Sequence, residues 1–309
     1  MTGTKEIKVL RGESLSRHST IRIGGPAEYF FLPESCEELL GILSDVSSGC
    51  LPAPLRFFGK GSNILFSDEG LSGTVISTKR LTALEALPDG SFLAQAGVSM
   101  PYLSKVAAFS GRSGFSFMAG IPGTVGGGVA MNAGTPEGDF SRIVKEIRVV
   151  SPSGVIKSLS GADLAFSYRH SIFSGSLPKK EKSGSCAMLP EGGVILDVLL
   201  SGEPEDPAFL QEKSKESLSR RSERQPLDKP SLGSVFRNPE SDYAGRLIEL
   251  SGLKGSQKGG IRISPKHCNF FINEGSGTAG EFLDLMEEAR QRVLGRTGIV
   301  LSPEVQTLF

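Results

Sequence analysis

The sequence has few of the side chains that hold metals or staple small folds. Its four cysteines (Cys36, Cys50, Cys186 and Cys268) are scattered with no C-x-x-C pair. Its three histidines (His18, His170 and His267) show no metal-ligand spacing. A disulfide framework and a zinc site are therefore disfavoured, and no metal is expected. Net charge is absent as well. Lys+Arg and Asp+Glu both number 34, so nothing points to a nucleic acid or an anionic membrane surface as partner. No run approaches the ~18 apolar residues of a membrane span. The N-terminal stretch MTGTKEIKVLRGESLSRHS is polar and lacks the apolar core of a signal peptide. A cytoplasmic protein is expected.

What the chain does contain is 309 residues at 38% apolar and 22% charged, the composition of a soluble enzyme with about two domains, or three small ones. Glycine is concentrated in one place. Ala119–Gly134 reads AGIPGTVGGGVAMNAG, uncharged and crowded with glycine. Glycine serves where φ is positive or where another group must approach the backbone. The run Gly123–Gly128 can aim several N–H groups at one anion, best at the start of a helix. A second cluster, Gly59-Lys60-Gly61-Ser62-Asn63, separates two apolar runs, Leu55–Gly59 and Ile64–Phe66. Either cluster alone reads as a tight turn. Together, with the Asn63 and Thr124 side chains, they read as a dinucleotide clamp. There is no G-x-G-x-x-G after a first strand and no G-x-x-x-x-G-K-[ST], which removes the Rossmann and P-loop solutions.

Along the rest of the chain, strands are expected at Ala27–Pro33, Thr74–Ser77, Phe92–Ala96 and Val194–Leu200, with a hairpin over Ile147–Val150 and Val155–Leu159. Ser35 with Glu38, and Thr278 with Glu281, have capping-box spacing and open helices. Ser99 and Pro101 open another. Pro178–Gly193 reads as a loose polar loop. Composition shifts at Glu203–Asp206, a domain boundary is placed there, and a charged helix covers Pro207 to about Arg224. The last third has strands at Ser234–Arg237, Gly260–Ile263, Asn269–Ile272, Ile299–Leu301 and Glu304–Leu308, with a helix over Asp242–Ser251. Strands and helices mix without regular βαβ alternation, so the fold class is α+β.

Three further segments carry candidate chemistry. Arg169 lies between aromatics in Tyr168–Phe173, and its fork matches a carboxylate or a phosphate; a surface salt bridge is the ordinary fate of such a residue. Ser234, in Gly233–Pro239, sits at the mouth of a short strand. The segment is not a G-x-S-x-G elbow and has no evident His–Asp partners, so a serine hydrolase is disfavoured. The hydroxyl can still deliver a proton where cations stabilise its alkoxide. Glu304, in Ser302–Gln306, is an exposed carboxylate in the ordinary reading and an acid or acceptor if buried against a ligand.

Taken in order, His18–Ala27, GKGSNIL at Gly59–Leu65, Ala119–Gly134, Tyr168–Phe173, QPLDKPSLGSVFRNP at Gln225–Pro239, Ala244–Gly255, SPKHCNFFIN at Ser264–Asn273 and Leu301–Gln306 resemble the UDP-N-acetylenolpyruvoylglucosamine reductase (MurB) family, in its shorter second type. The resemblance spans nearly the whole chain. It implies a two-subdomain FAD-binding module of the vanillyl-alcohol-oxidase/PCMH kind over residues 1–202, split near 75. A substrate domain over 203–309, ending in a catalytic strand, closes over the sugar nucleotide. It further implies bound FAD, NADPH as hydride donor, UDP-N-acetylglucosamine enolpyruvate as substrate and a monomer as the working unit. By resemblance, Arg169 holds the substrate carboxylate, Glu304 shares its stabilised acid form and Ser234 donates the proton. Flavin contacts come from Gly59, Lys60, Gly61, Ser62 and Asn63, and from Ile121, Pro122, Gly123, Thr124, Val125 and Gly126. Arg224 and Asn238 are matched to the UDP diphosphate, with Lys254 and Lys266 as further basic candidates, and Arg22 is expected to support the flavin site. Two other readings are a different FAD-dependent sugar or alcohol oxidoreductase and a non-catalytic nucleotide-sugar-binding protein. The Gly233–Pro239 segment with Glu304 argues against the first, and Arg169, Ser234 and Glu304 together argue against the second.

Overall fold

A computed structural model describes residues 7–174 and 193–309; the expected polar loop, Gly193 apart, lies outside them. The first subdomain contains β1 (Leu10–Ser14), β2 (Pro26–Phe31), helix α1 (Cys36–Ser47), β3 (Leu55–Phe58), β4 (Ile64–Phe66) and β5 (Leu71–Ser77). Four of its strands form a sheet in the order β1-β2-β5-β3, with β2 and β3 parallel to β5. α1 begins where the sequence places it. The Ser35 hydroxyl accepts from the Glu38 N–H at 3.2 Å. The Glu38 carboxylate reaches one residue further back, to the Glu34 N–H at 2.8 Å. The helix buries Leu39, Ile42 and Leu43, the three apolar positions that share one face.

The second subdomain comprises β6 (Leu84–Ala86), β7 (Phe92–Gln95), α2 (Met100–Phe109), α3 (Val125–Ala130), a small hairpin of β8 (Gly134–Thr135) and β9 (Gly138–Asp139), then β10 (Val144–Val150), β11 (Ile156–Ser160) and β12 (Val194–Leu200). Its antiparallel sheet runs β11-β10-β12-β7-β6. The expected split near residue 75 falls inside β5, whose residues pair with both β2 and β3. The chain changes sheets only between Ser77 and Leu84.

α4 (Pro207–Arg224) has the bounds that Asp206 and Pro207 predict, with the Asp206 carboxylate capping the N–H groups of Ala208 and Phe209. It packs on α2, however, and so rides on the second subdomain. A boundary ahead of it would cut that helix from its support. The remaining elements are β13 (Ser231–Ser234), α5 (Ala244–Leu250), β14 (Gln257–Lys258), β15 (Ile261–Ile263), β16 (Phe270–Asn273), α6 (Ala279–Thr297) and β17 (Gln306–Leu308). Their sheet runs β13-β16-β15-β14. The expected strand at 234–237 is shifted. β13 pairs Ser231 with Ile272 and Ser234 with Phe270, then leaves β16, and Phe236 bridges to Pro303 instead. The segment 299–301 joins no sheet. α6 carries the full capping box: the Thr278 hydroxyl accepts from the Glu281 N–H, and the Glu281 carboxylate accepts from the Thr278 N–H.

These units are not beads on linkers. β17 returns across the molecule to lie parallel to β4, pairing Gln306 with Ile64. Ile21, Ile23 and Leu65 of the first subdomain belong to the core of the third domain, packed with residues such as Val235, Phe271 and Phe282. The first two subdomains share another core, in which Phe31, Leu39 and Ile76 meet Val150 and Leu196. Polar contacts reinforce the first joint. The Thr20 hydroxyl donates to the Ser231 carbonyl at 2.6 Å, and the Asp68 carboxylate accepts from the Ala279 and Gly280 N–H groups at the start of α6. Buried Asn273 donates to the Ile21 carbonyl at 2.9 Å while its side-chain oxygen accepts from the Gly275 and Gly277 N–H groups. Asn273→Ala strands those buried groups. It is expected to lower the unfolding free energy by roughly 2–4 kcal/mol, about 1–3 kcal/mol for each buried group left unpaired with partial relaxation, as measured by urea unfolding of the intact chain. A loss within 0.5 kcal/mol, the size of an ordinary surface change, would mean that the joint does not depend on this residue.

Candidate active site

Where the three units meet lies a cleft of about 1130 Å³. That exceeds the roughly 300–1,000 Å³ of a common small-molecule site and suits two extended ligands. Both glycine clusters line it. They also touch each other, which explains why they need glycine. A Cβ on Gly59 would stand 2.3 Å from the Thr124 hydroxyl, and one on Gly123 would stand 2.5 Å from the Met100 methyl and 3.2 Å from the Ser62 hydroxyl. Gly61 has φ +67, and a Cβ there would meet the His18 carbonyl at 2.2 Å. Gly127 is different: its Cβ position meets only the Thr124 hydroxyl, at 3.5 Å, so a side chain there would project into the cleft.

The backbone of the Gly59–Asn63 loop is polarised. Three of its carbonyls are held by the protein: Gly59 by the Ser77 hydroxyl at 2.7 Å, Gly61 by the Thr20 N–H at 3.1 Å and Asn63 by the Gln306 N–H at 2.9 Å. The N–H groups of residues 60–63 find no acceptor among the described residues. On the facing loop, Val125 and Gly126 donate to the Val98 and Ala96 carbonyls, and Gly127 and Gly128 are taken up in capping and turning α3. The expectation that Gly123–Gly128 present a row of free donors therefore needs correcting, because the start of α3 is pinned to the turn after β7. Only the Gly123 and Thr124 N–H groups are left over on that side among the described residues. Val125 is not a lining residue at all; its side chain is wholly buried in the second subdomain's core. The Asn63 and Thr124 side chains also serve the protein, Asn63 donating to the Glu304 carbonyl at 3.0 Å and Thr124 capping α3. Two sets of free donors facing one roomy cleft, with Gly127 keeping it open, fit a bound pyrophosphate.

The candidate chemical groups converge on the same cleft. Arg169 and Glu304, 135 positions apart, form an ion pair across it, Nε to Oε1 at 2.9 Å. Arg169 sits in left-handed backbone, φ +54, at the tip of a tight turn closed by two hydrogen bonds between Ser167 and His170. An arginine adopts that conformation only under constraint. The constraint comes from the Asn132 amide on the Ser167 carbonyl, the Tyr168 ring 5.1 Å from the guanidinium and the Gly134 carbonyl accepting from Arg169 at 2.7 Å. The Glu304 N–H donates to the Val235 carbonyl at 2.8 Å, which ties Glu304 to the residue that follows Ser234, and both Ser234 and Glu304 line the cleft. Asn269 fixes that strand end by exchanging two hydrogen bonds with the Phe236 backbone at 2.9 and 2.7 Å. Burial pushes the Glu304 carboxyl above the usual carboxylate range, and the Arg169 and Arg237 charges oppose that rise without cancelling it.

Of the remaining expectations, Arg22, Arg224, Asn238 and Lys266 line the cleft. Lys254 does not; it pairs with Glu249 at 2.8 Å. The Asn238 oxygen is already committed to the Ala244 N–H at 3.0 Å, which leaves its amide NH₂ for a ligand. Among the lining residues that the sequence did not single out, one stands apart. Arg221, near the end of α4, lies over Gly120, and its Nη1 has no hydrogen-bond partner among the described residues. Burial, with the Arg169 charge nearby, pulls its pKa below the usual arginine value. In sequence it reads as one more charge on a solvated helix. The Gly120 beneath it was the available hint, since a Cβ there would stand 3.1 Å from the Arg221 side chain.

A family model described as an FAD binding domain matches residues 27–160, and one described as the C-terminal domain of UDP-N-acetylenolpyruvoylglucosamine reductase matches residues 225–308. The chain is 39% identical over 305 residues to the UDP-N-acetylenolpyruvoylglucosamine reductase of Moorella thermoacetica, covering 99% of this chain and 94% of that protein. It is 36% identical to UDP-N-acetylenolpyruvoylglucosamine reductase 2 of Symbiobacterium thermophilum, covering 97% and 92%. Among solved structures it is similar to the UDP-N-acetylenolpyruvylglucosamine reductase of Thermus caldophilus, with a TM-score of 0.80 at 30% identity over 98% of this chain and 100% of that one.

The raised Glu304 carboxyl has a measurable consequence. A carboxyl held above its unfolded pKa contributes stability that is complete below the ordinary carboxylate range and is lost as pH rises through the raised value. Glu304→Gln removes that titration. The variant is expected to match the wild type near about pH 4 and to become more stable than it as pH rises, as read by urea unfolding at stepped pH. A difference that stays constant with pH would contradict the raised pKa.

Proposed function

The chain belongs to the UDP-N-acetylenolpyruvoylglucosamine reductase family, and from that premise we infer what its residues do. The reaction is the reduction of UDP-N-acetylglucosamine enolpyruvate to UDP-N-acetylmuramate, an FAD- and NADPH-dependent step of peptidoglycan precursor synthesis. Bound FAD would supply the redox chemistry, carrying hydride from NADPH to the outer vinyl carbon of the enolpyruvyl group. The N–H groups of residues 60–63 and of Gly123 and Thr124 would hold its pyrophosphate, and Gly59, Ile121, Pro122 and Gly126 would shape the surface beside it. Val125 supports α3 from the core and makes no contact.

Hydride addition leaves an electron pair on the inner carbon, delocalised into the adjoining carboxylate. Arg169 neutralises that carboxylate through its guanidinium fork. Glu304, biased towards its acid form by burial, donates a hydrogen bond to the same developing charge when it is protonated. Ser234 passes its hydroxyl proton to the inner carbon, and the alkoxide left behind is stabilised by the cations of the cleft before it regains a proton from solvent. Arg224 and the Asn238 amide hold the UDP diphosphate at the outer end. The observation that carries this reading is the meeting of Arg169, Ser234 and Glu304, from three distant segments, in one cleft floored by both glycine loops. All of these groups come from one chain, which supports a monomer as the working unit. A nucleotide sugar and NADPH as co-substrates support a cytoplasmic location, and no helix of the described residues is long and apolar enough to cross a membrane. The substrate domain is placed from Gln225, after α4 has run along the second subdomain.

The decisive assay is NADPH oxidation that depends on the enolpyruvyl sugar nucleotide; equal oxidation with and without it would overturn the reading. For the proton donor, Ser234→Ala is expected to leave flavin reduction by NADPH within about twofold and to slow reoxidation by substrate roughly 10²–10⁴-fold, the usual worth of a positioned acid. Stopped-flow absorbance separates the two half-reactions, and equal slowing of both would count against Ser234.

A further inference from the structure

We infer that Asn63 is a positioning residue for Glu304, and that filling the Gly59–Asn63 loop with the cofactor's pyrophosphate sets the acid in place. The inference rests on the reading of Glu304 given above. It starts from how the Glu304 peptide is gripped. Its N–H is held by the Val235 carbonyl and its carbonyl by the Asn63 side chain. The Asn63 carbonyl then takes the Gln306 N–H, so a single residue clamps the chain on both sides of Val305. The register continues as Gln306 pairs with Ile64.

The coupling follows from the other side of the same loop. The N–H groups of residues 60–63 face the cleft without acceptors among the described residues, whereas the carbonyls are fixed to Ser77, Thr20 and Gln306. A phosphate that draws those N–H groups together orders the peptide planes to which the carbonyls belong. Asn63 contributes to both faces, with its N–H towards the anion and its carbonyl and side-chain amide towards the Glu304 segment. Glu304 cannot shift without breaking one of these bonds, and the loop cannot reorganise without moving Glu304. Linkage makes the effect reciprocal: whatever loosens the segment 304–306 weakens the loop's hold on the anion by the same free energy.

A purely structural Asn63 would stabilise the fold and nothing more, so the test uses readouts that such a role would not move. In the wild-type apoprotein, adding FAD is expected to slow amide hydrogen exchange across residues 302–308, well away from the phosphate itself. Asn63→Ala, loaded with FAD, should be reoxidised by the enolpyruvyl substrate roughly ten- to a hundredfold more slowly than the wild type, the scale set by misplacing a reacting group, a loss well beyond any in its reduction by NADPH. The alkaline limb of its reoxidation profile should move to lower pH as the acid gains access to water. The FAD-dependent protection of 302–308 should be lost in the variant. Equal slowing of both half-reactions, an unshifted pH profile or undiminished protection would overturn the inference. If the variant does not fold, wild-type exchange over 302–308 that ignores FAD overturns it alone. Failure of the wild type to be reoxidised by the substrate would instead strike at the proposed reaction, leaving the exchange result to decide this point.

Discussion

The architecture depends on one loop whose two edges face different neighbours. Peptide groups alternate donor and acceptor, and in most loops water satisfies both. Between Gly59 and Asn63 the acceptors of Gly59, Gly61 and Asn63 are taken by protein from three directions: the end of β5, the Thr20 segment and the C-terminal strand. The donors are left facing the cleft. Such an arrangement is stable only where an anion or water completes it, since an unpaired buried N–H is costly. Glycine at 59 and 61 follows from crowding: the facing loop lies against Gly59, and the chain at His18 passes just behind Gly61.

The cleft also concentrates positive charge with little compensation. Arg169 has one carboxyl partner, and that carboxyl is itself biased towards its neutral form by burial. Among the described residues, the other nitrogens of Arg221 bond only the Gln225 oxygen, at 3.1–3.2 Å. A desolvated cation without a matching anion is costly in the free protein. It becomes favourable when an acidic ligand enters, because the ligand's charge then meets partners already aimed and dry. The left-handed backbone at Arg169 belongs to the same economy: local strain is accepted so that the guanidinium points inward.

What could be read in the sequence was whatever is determined locally. The starts of α1 and α6, both ends of α4 and the whole of β12 follow from capping residues, Pro207 and short apolar runs, all of which act within a turn or two. The glycine loops announced a close approach, and the order of motifs announced the family. What escaped depends on distant partners. β13 lies three residues before its expected position because β16 supplies partners only for Ser231–Ser234. Val125 looks like a loop residue until its neighbours bury it. The Asn63 side chain looks like a ligand contact until the C-terminal strand arrives beside it. Arg221 belongs to a charged helix whose burial is decided by α2 and by Gly120. That Arg169 and Glu304 serve one site was available through resemblance alone, and their ion pair was not foreseen, since no local rule links residues so far apart.

The return of β17 to β4 also bears on how the molecule is made. Asn63 and Glu304 are 241 positions apart, so the contact between them closes nearly the largest loop the chain can form. Contacts of such separation reward the chain only after the entropy of closure has been met, and they form late. A nascent chain can therefore build both FAD-module sheets and much of the third domain while its acid is still unplaced. Competence to reduce substrate comes with the closing of such seams, this one and the Ile21–Asn273 joint among them, so a partly folded molecule would hold the cofactor weakly and be unable to use it.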